Sequence, residues 1–217
     1  MKTILLLILF FSFNFYSISQ NRRETSHFYG LEFQYSYFQT NIKALNSFLN
    51  TNYGHSITDV RLVGLNFKAL TEVNRKHKYD SNFSFDYVLP TTYMSTSATR
   101  SFDIKGYQWG MMILGNDLLY KKKNVDLIFG TGLNAGKFKL HEDNETTTVD
   151  FFNKFLAPKL TSEFRLIFGK MCVGIRAEYQ YDISNKSWKS TTNEFLPLTK
   201  FTGYKIQAFV GLGKVNR

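Results

Sequence analysis

The sequence predicts an all-β fold, an eight-stranded antiparallel up-and-down β-barrel that crosses a membrane on its strands. Three observations carry this prediction. Segments of about ten residues alternate large apolar residues with polar or small ones, and they recur eight times along the chain. The apolar set is almost wholly aliphatic and aromatic, while the polar set mixes glycine, amides and charges of both signs. The connections alternate between short and long, as they do when turns gather at one end of a barrel and loops at the other.

The first strand is FYGLEFQYSYF, where Tyr29, Leu31, Phe33, Tyr35 and Tyr37 alternate with Gly30, Glu32, Gln34 and Ser36. The second sets Val63, Leu65, Phe67 and Ala69 against Gly64, Asn66 and Lys68. In the third, Tyr79, Phe83, Phe85, Tyr87 and Leu89 alternate with Asp80, Asn82, Ser84 and Asp86. The fourth places Tyr107, Trp109, Met111 and Ile113 opposite Gly106, Gln108 and Gly110. The fifth places Val125, Leu127, Phe129 and Leu133 opposite Asp126, Gly130, Gly132, Asn134 and Gly136. The sixth sets Leu156, Leu160, Phe164, Leu166 and Phe168 against Lys159, Thr161, Glu163 and Arg165. The seventh sets Val173, Ile175, Ala177, Tyr179 and Tyr181 against Gly174, Arg176, Glu178 and Gln180. The last sets Tyr204, Ile206, Ala208, Val210 and Leu212 against Gly203, Lys205, Gln207 and Gly211.

Short connections follow the second, fourth and sixth strands, the last being little more than Gly169-Lys170. Long ones are expected at Gln39–Thr58, Pro90–Ser101, His141–Lys154 and Ile183–Thr199. The first of these holds NIKALNSFLN, whose Ile42, Leu45, Phe48 and Leu49 would share one face of a helix and could cap the barrel mouth.

The polar face suits a confined lumen. It carries Glu32, Asp80, Asp86, Asp126, Glu163 and Glu178 with Lys68, Lys159, Arg165, Arg176 and Lys205, nearly balanced in sign. Unpaired charges there would cost several kcal/mol each, so balance permits pairing. Strand glycines on the same face leave room for long side chains. An eight-stranded barrel is just wide enough for side chains to fill it, which predicts a plugged lumen. The lumen network proper is expected from Glu32, Lys68, Asp80, Asp86, Glu163, Arg165, Arg176 and Glu178.

The apolar face would then meet lipid. With the N-terminus periplasmic, Tyr35, Tyr37, Tyr87, Tyr107, Trp109, Tyr179 and Tyr181 fall at the outer rim, and Tyr29, Tyr79, Tyr120 and Phe168 at the inner one, as aromatic girdles do. Closure follows because a sheet edge in hydrocarbon would leave backbone groups unpaired. The short turns carry Arg75, Lys76, Lys78, Lys121, Lys122, Lys123 and Lys170, a basic rim suited to anionic headgroups.

The chain of 217 residues opens MKTILLLILFFSFNFYSISQ. Lys2, the apolar run from Ile4 to Phe11, and the small Ser17 and Ser19 ahead of Gln20 read as a secretory signal peptide over 1–19, leaving a single domain at 20–217. Ser12 and Asn14 interrupt the run too early for a helical membrane span. The net charge is +10, and removing the leader takes Lys2 and no acid, leaving +9. For an exported chain that charge favours anionic lipid over nucleic acid. Cys172 is the single cysteine, so no intramolecular disulfide can form.

The leader, the strand parity, the SISQ sequence at the expected cut and the closing strand YKIQAFVGLG together resemble the small eight-stranded outer-membrane barrels of the OmpA and OmpX type. They are most similar to the outer membrane protein β-barrel domain group common in Gram-negative, Bacteroidota-like bacteria. The resemblance covers nearly the whole mature chain. It implies residence in the outer membrane. The barrel is expected to be a monomer, with its short turns periplasmic and its long loops extracellular. The roles it implies are envelope integrity, adhesion or small-solute passage.

Catalytic and metal chemistry is thinly represented. His55, Ser56 and Asp59 could supply a lipid-modifying hydrolase, yet adjacent residues of an extended segment point to opposite faces. Glu142, Asp143 and Glu145 offer oxygen ligands without the spacing of a calcium loop. No phosphate-binding loop or paired-cysteine motif occurs, so neither cofactor nor metal is expected. The expected function is a structural or surface-interaction role in the outer membrane, with lipids and extracellular molecules as partners. A narrow channel, a lipid hydrolase and a soluble lipocalin-like carrier are the alternatives.

Overall fold

The computed structural model describes residues 27–40, 42–54, 56–57, 59–74, 77–94, 100–122, 124–144, 147–184, 187–192 and 196–216. The expected leader 1–19 lies outside the described residues. The strands are β1 (His27–Thr40), β2 (Val60–Asn74), β3 (His77–Val88), β4 (Thr91–Met94), β5 (Arg100–Lys122), β6 (Val125–Asn144), β7 (Thr147–Phe168), β8 (Met171–Gln180), β9 (Lys189–Ser190) and β10 (Gly203–Asn216). One helix, α1 (Lys43–Tyr53), lies between β1 and β2.

Eight of these strands form a closed antiparallel barrel, as the period-two pattern predicts. Each pairs with its neighbour in the chain, β1 pairs with β10, and β3 pairs with β5 past the short β4. β4 and β9 are strips of the long connections that lie back on β5 and β7. Between β7 and β8 the reversal takes two residues, with Gly169 at φ 62, a left-handed conformation that glycine adopts without a Cβ clash.

One expected loop is absent. His141–Lys154 does not form a long loop, because β6 and β7 stay paired out to Asn144 and Thr147. The reason is a change in the meaning of the alternation. Through the middle of β6, Leu133 is exposed and Asn134 buried, but beyond it Phe138 and Leu140 are buried while Lys137, Lys139 and His141 are turned outward. The two faces of the wall have exchanged character.

The same exchange occurs around the ring. Inside β1 the sequence passes from Glu32, Gln34 and Ser36 to Phe38; inside β2 from Lys68 and Asn66 to Leu62 and Val60; inside β3 from Ser84 and Asp86 to Val88. The barrel therefore has a polar-lined section toward the turn end and an apolar-filled dome at the loop end. The dome core includes Phe38, Leu62, Val88, Ile104, Phe138, Leu140, Phe151, Phe155 and Phe201.

Helix α1 forms over the expected segment and closes this dome. Ile42, Leu45 and Leu49 are buried in the dome core with Phe48 packed against it, the spacing of one helical face. Gly54 ends the helix at φ 68, its N–H bonded to the Asn50 carbonyl at 3.0 Å. Asn46 then pins the exit, donating to the Ile57 carbonyl at 2.8 Å and accepting the Ile57 N–H at 2.9 Å.

Candidate functional site

The section below the dome is lined by ionised residues. Five acids (Glu32, Asp86, Asp126, Glu163, Glu178) and five bases (Lys68, Lys159, Arg165, Arg176, Lys205) are buried on its inner face. Small residues make space for them. A Cβ on Gly110 would overlap Ser84 Oγ and stand 2.7 Å from Asn134 Oδ1 and 2.9 Å from Lys159 Nζ.

Nine of these groups join into one continuous network. Glu163 on β7 receives Lys68 Nζ at 2.8 Å, Arg176 Nε at 2.8 Å and the Arg165 guanidinium. Arg165 also donates to Glu32 Oε1 at 2.6 Å, and Arg176 to Glu32 Oε2 at 2.7 Å, so two carboxylates and two guanidiniums form a crossed square. Asn66 donates to Glu32 at 2.6 Å. Arg176 Nη1 reaches Gln34 at 2.9 Å, and Gln34 in turn donates to Asp86 at 2.6 Å. Lys205 links Asp86 and Glu178, at 3.1 Å from each, and Lys159 holds the other Glu178 oxygen at 2.9 Å. Asn134 and Gln180 carry the chain to the Phe201 carbonyl at the floor of the dome.

Below the square, Phe28, Ile167, Cys172 and Phe209 make a small apolar cluster. The guanidinium carbons of Arg165 and Arg176 lie 5.6 and 4.9 Å from the Phe209 ring centroid. These cation–π contacts lie among side chains that are themselves buried. Cys172 is a buried free thiol in that cluster.

Of the sequence-predicted lumen residues, Glu32, Lys68, Asp86, Glu163, Arg165, Arg176 and Glu178 come together in this network, whereas the side chain of Asp80 lies outside the described residues. Lys159 and Lys205 are as central as any of them. The amides Gln34, Asn66 and Asn134, which bridge the charges, carry no signal in sequence beyond being polar on the same face.

The aromatic residues expected at the outer rim lie on the outer face just below the dome. Tyr35, Tyr37, Tyr87, Tyr107, Trp109 and Tyr181 are exposed there. Tyr179 is half-buried, its ring 4.9 Å from that of Tyr204, which the sequence reading left out of the girdle. Phe168 is exposed at the turn end and Tyr29 half-buried. The side chains of Tyr79 and Tyr120, and of Arg75, Lys76, Lys78, Lys121, Lys122 and Lys123, lie outside the described residues.

Among the described residues, the remaining candidates are not brought together. His55 lies outside the described residues, Ser56 is exposed, and Asp59 contacts Arg61 Nε at 3.4 Å. Glu142 is buried inside the dome while Asp143 is exposed outside it, and Glu145 lies outside the described residues. Their place on a strand, where successive side chains alternate, separates the carboxylates that a loop could have gathered.

On the outer face of the dome, Asp150 Oδ1 lies 2.6 Å from His141 Nδ1 and its Oδ2 lies 2.7 Å from Lys139 Nζ. Its backbone bonds Thr191 on the returning connection beside β9. Partial burial pushes the Asp150 carboxyl up, but the hydrogen bonds and charges of Lys139 and His141 outweigh this and hold it below the usual carboxylate range. A depressed folded value means the contacts stabilise above the unfolded value and are lost as pH falls through the folded one. Amide exchange at Phe151 and Phe152, which pair with β9, should stay slow from neutral pH through the ordinary carboxylate range and quicken only below it. Asp150→Asn should abolish that step. The site is partly exposed, so the effect is about 0.5 kcal/mol or less.

No protein-family model matches the chain, and no curated protein is significantly similar to it. Solved structures are. The crystal structure of Ail, the attachment invasion locus protein of Yersinia pestis, is 11% identical with a TM-score of 0.49, covering 89% of this chain and 100% of that one. The same protein in complex with the heparin analogue sucrose octasulfate is 12% identical over the same shares, with a TM-score of 0.49. The crystal structure of Neisserial surface protein A (NspA) is 11% identical with a TM-score of 0.46, covering 88% of this chain and 99% of that one.

Proposed function

We propose that the chain is an integral outer-membrane barrel with a structural or surface-interaction role, its lumen plugged by the ion-pair network. The observation that carries this reading is an apolar outer band on a closed barrel. The outward positions of Leu156–Phe168 on β7, Met171–Tyr181 along and just beyond β8, and Tyr204–Leu212 on β10 hold no charged residue. Ile175 and Ile206 are each 57% exposed. At a rise of about 3.3 Å per residue and a tilt of about 40°, these runs span roughly 20–30 Å. A girdle of that height far exceeds the apolar patches that soluble monomers expose. Ring closure leaves no strand edge, as hydrocarbon demands. A soluble lipocalin-like carrier would need the opposite arrangement at this level, with charges outside.

The charged outer face and apolar inside of the dome suit a position in water beyond the bilayer. With the short turns in the periplasm, as in barrels of this kind, the dome stands on the extracellular side. After removal of the leader 1–19, residues 20–217 act as one monomeric barrel domain. Outer-membrane lipids surround the band, and the dome with its folded-back connections meets extracellular partners.

The lumen is obstructed twice, by the crossed square of Glu32, Glu163, Arg165 and Arg176 and by the dome core above it. A narrow channel for ions or small solutes needs a path past both. Purified protein in planar bilayers should therefore be electrically silent; unitary current steps would refute the plug and leave the membrane reading intact. The membrane reading is tested by fractionation and by heat-modifiable gel migration, and recovery in the soluble periplasmic fraction would end it. Ile175→Arg should cost about 2–4 kcal/mol in vesicles, the range for an arginine on the lipid face near the bilayer midplane. An unchanged unfolding transition would mean that Ile175 faces water.

A further inference from the structure

Charge on the outer wall of the dome is sorted by height. On β5, β6 and β7 the outward residue at Tyr107, Ala135 and Leu156 belongs to the apolar band, and the next outward residue toward the loop end is a lysine on all three: Lys105, Lys137 and Lys154. The strands are adjacent. Lys137 pairs directly with Lys154 across β6 and β7, and Lys105 with Lys139 across β5 and β6. The acids of this wall begin only above that row, with Asp103, Asp143 and Asp150. Asp150 holds Lys139, which is thereby committed within the dome.

The three lysines of the row keep their donors outward. Lys137 Nζ sits 4.1 Å from the centroid of the Phe152 ring, a contact that occupies one side of the ammonium and leaves its charge without a carboxylate partner among the described residues of this wall. Lys105 lies 3.4 Å from Asp103 with its side chain 41% exposed, a loose surface pair worth little. Lys154 is exposed.

We infer that Lys105, Lys137 and Lys154 form a shelf that binds the anionic phosphate headgroups of lipid in the leaflet at the loop end. The inference rests on the membrane reading above. The first polar position over the apolar band, next to Tyr107 and Trp109, is at headgroup depth. A polyanion arriving from solution would meet the acids of the upper rows first, whereas a headgroup anchored by its chains meets only the lysines. Their like charges lie on neighbouring strands, an arrangement that costs stability without a counter-ion and favours one that the membrane supplies.

Trp109 is a reporter built into the site. It is exposed on the outer face one outward step below Tyr107, while Trp188, the second tryptophan, is buried inside the dome. Barrel reconstituted in phosphatidylcholine vesicles is titrated with brominated phosphatidylglycerol or with brominated phosphatidylcholine, and quenching of Trp109 gives the relative affinity of the two lipids. The expected preference for the anionic lipid, from three lysines near the surface, is on the order of 100-fold at low salt, and it shrinks in high salt. Lys105→Gln/Lys137→Gln/Lys154→Gln brings the preference to about 1, while Lys170→Gln/Lys214→Gln, at the turn end, leaves it unchanged. Heat-modifiable migration shows that each variant is folded. Equal quenching by both lipids in the native chain, or a preference that survives the triple substitution, overturns the shelf alone. Trp109 unquenched by either lipid overturns the membrane reading and the shelf with it.

Discussion

Glu163→Ala should lower the stability of the folded barrel by about 3–5 kcal/mol, the cost of removing one partner from a buried ion network. Glu163 is fully buried and takes hydrogen bonds from Lys68, Arg165 and Arg176. Without it the balance of five acids and five bases among the described residues becomes four and five, and three buried cations lose the carboxylate they share. Glu163→Gln should be nearly as costly, because it keeps the shape and loses the charge. Lys68→Met on the Glu163→Gln background restores the balance of charge, so the pair should be less damaging than the sum of its parts. Urea unfolding in lipid vesicles, read by the mobility of unheated samples, measures all three. If Glu163→Ala unfolds at the native urea concentration, the network is not what holds the polar section together.

Much of this section was legible in sequence, for a physical reason. A wall between lipid and a closed lumen needs grease on one side and paired charge on the other, and the strand fixes the period at two. Glu32, Lys68, Glu163, Arg165 and Arg176 could thus be assigned to one face before any contact was known. Which carboxylate meets which base could not be read, because that depends on the stagger of strands around the ring. Glu32 on β1 and Arg165 on β7 are separated by 133 residues and meet across the lumen. The amide bridges Gln34 and Asn134 were hidden for the same reason.

The dome was missed through a reversal of sign. In GKFKLHEDN the alternation is intact, but Phe138 and Leu140 occupy positions that lower on β6 belong to Asn134 and Gly132. A reading that follows one apolar phase sees that phase end and assigns a loop. The strand in fact continues, and its two faces exchange character. Leu62 on β2 and Val88 on β3 mark the same boundary, each one residue out of step with the apolar set before it. A phase slip shared by adjacent strands is therefore a sequence signal for a barrel whose inner and outer faces exchange character while the strands stay paired.

Because the two sections bury opposite chemistries, damage to one should stay local. Phe138 is fully buried, stacked on Phe201 at 4.3 Å and near Phe155 at 5.6 Å between ring centroids. Phe138→Ala should cost the dome about 3–5 kcal/mol through lost burial and the cavity left behind. The polar-lined section loses nothing, since its own network is untouched. Hydrogen exchange should accelerate in α1 and in the paired ends of β6 and β7, and a protease added outside intact vesicles should cut there. The heat-modifiable transition of the whole barrel should shift far less than it does for Glu163→Ala. Should the two substitutions lower that transition equally, with no local opening at the loop end, the barrel would be a single cooperative unit. The division into a lipid-facing section with ion pairs inside and a water-facing dome with grease inside would then describe composition and not energetics.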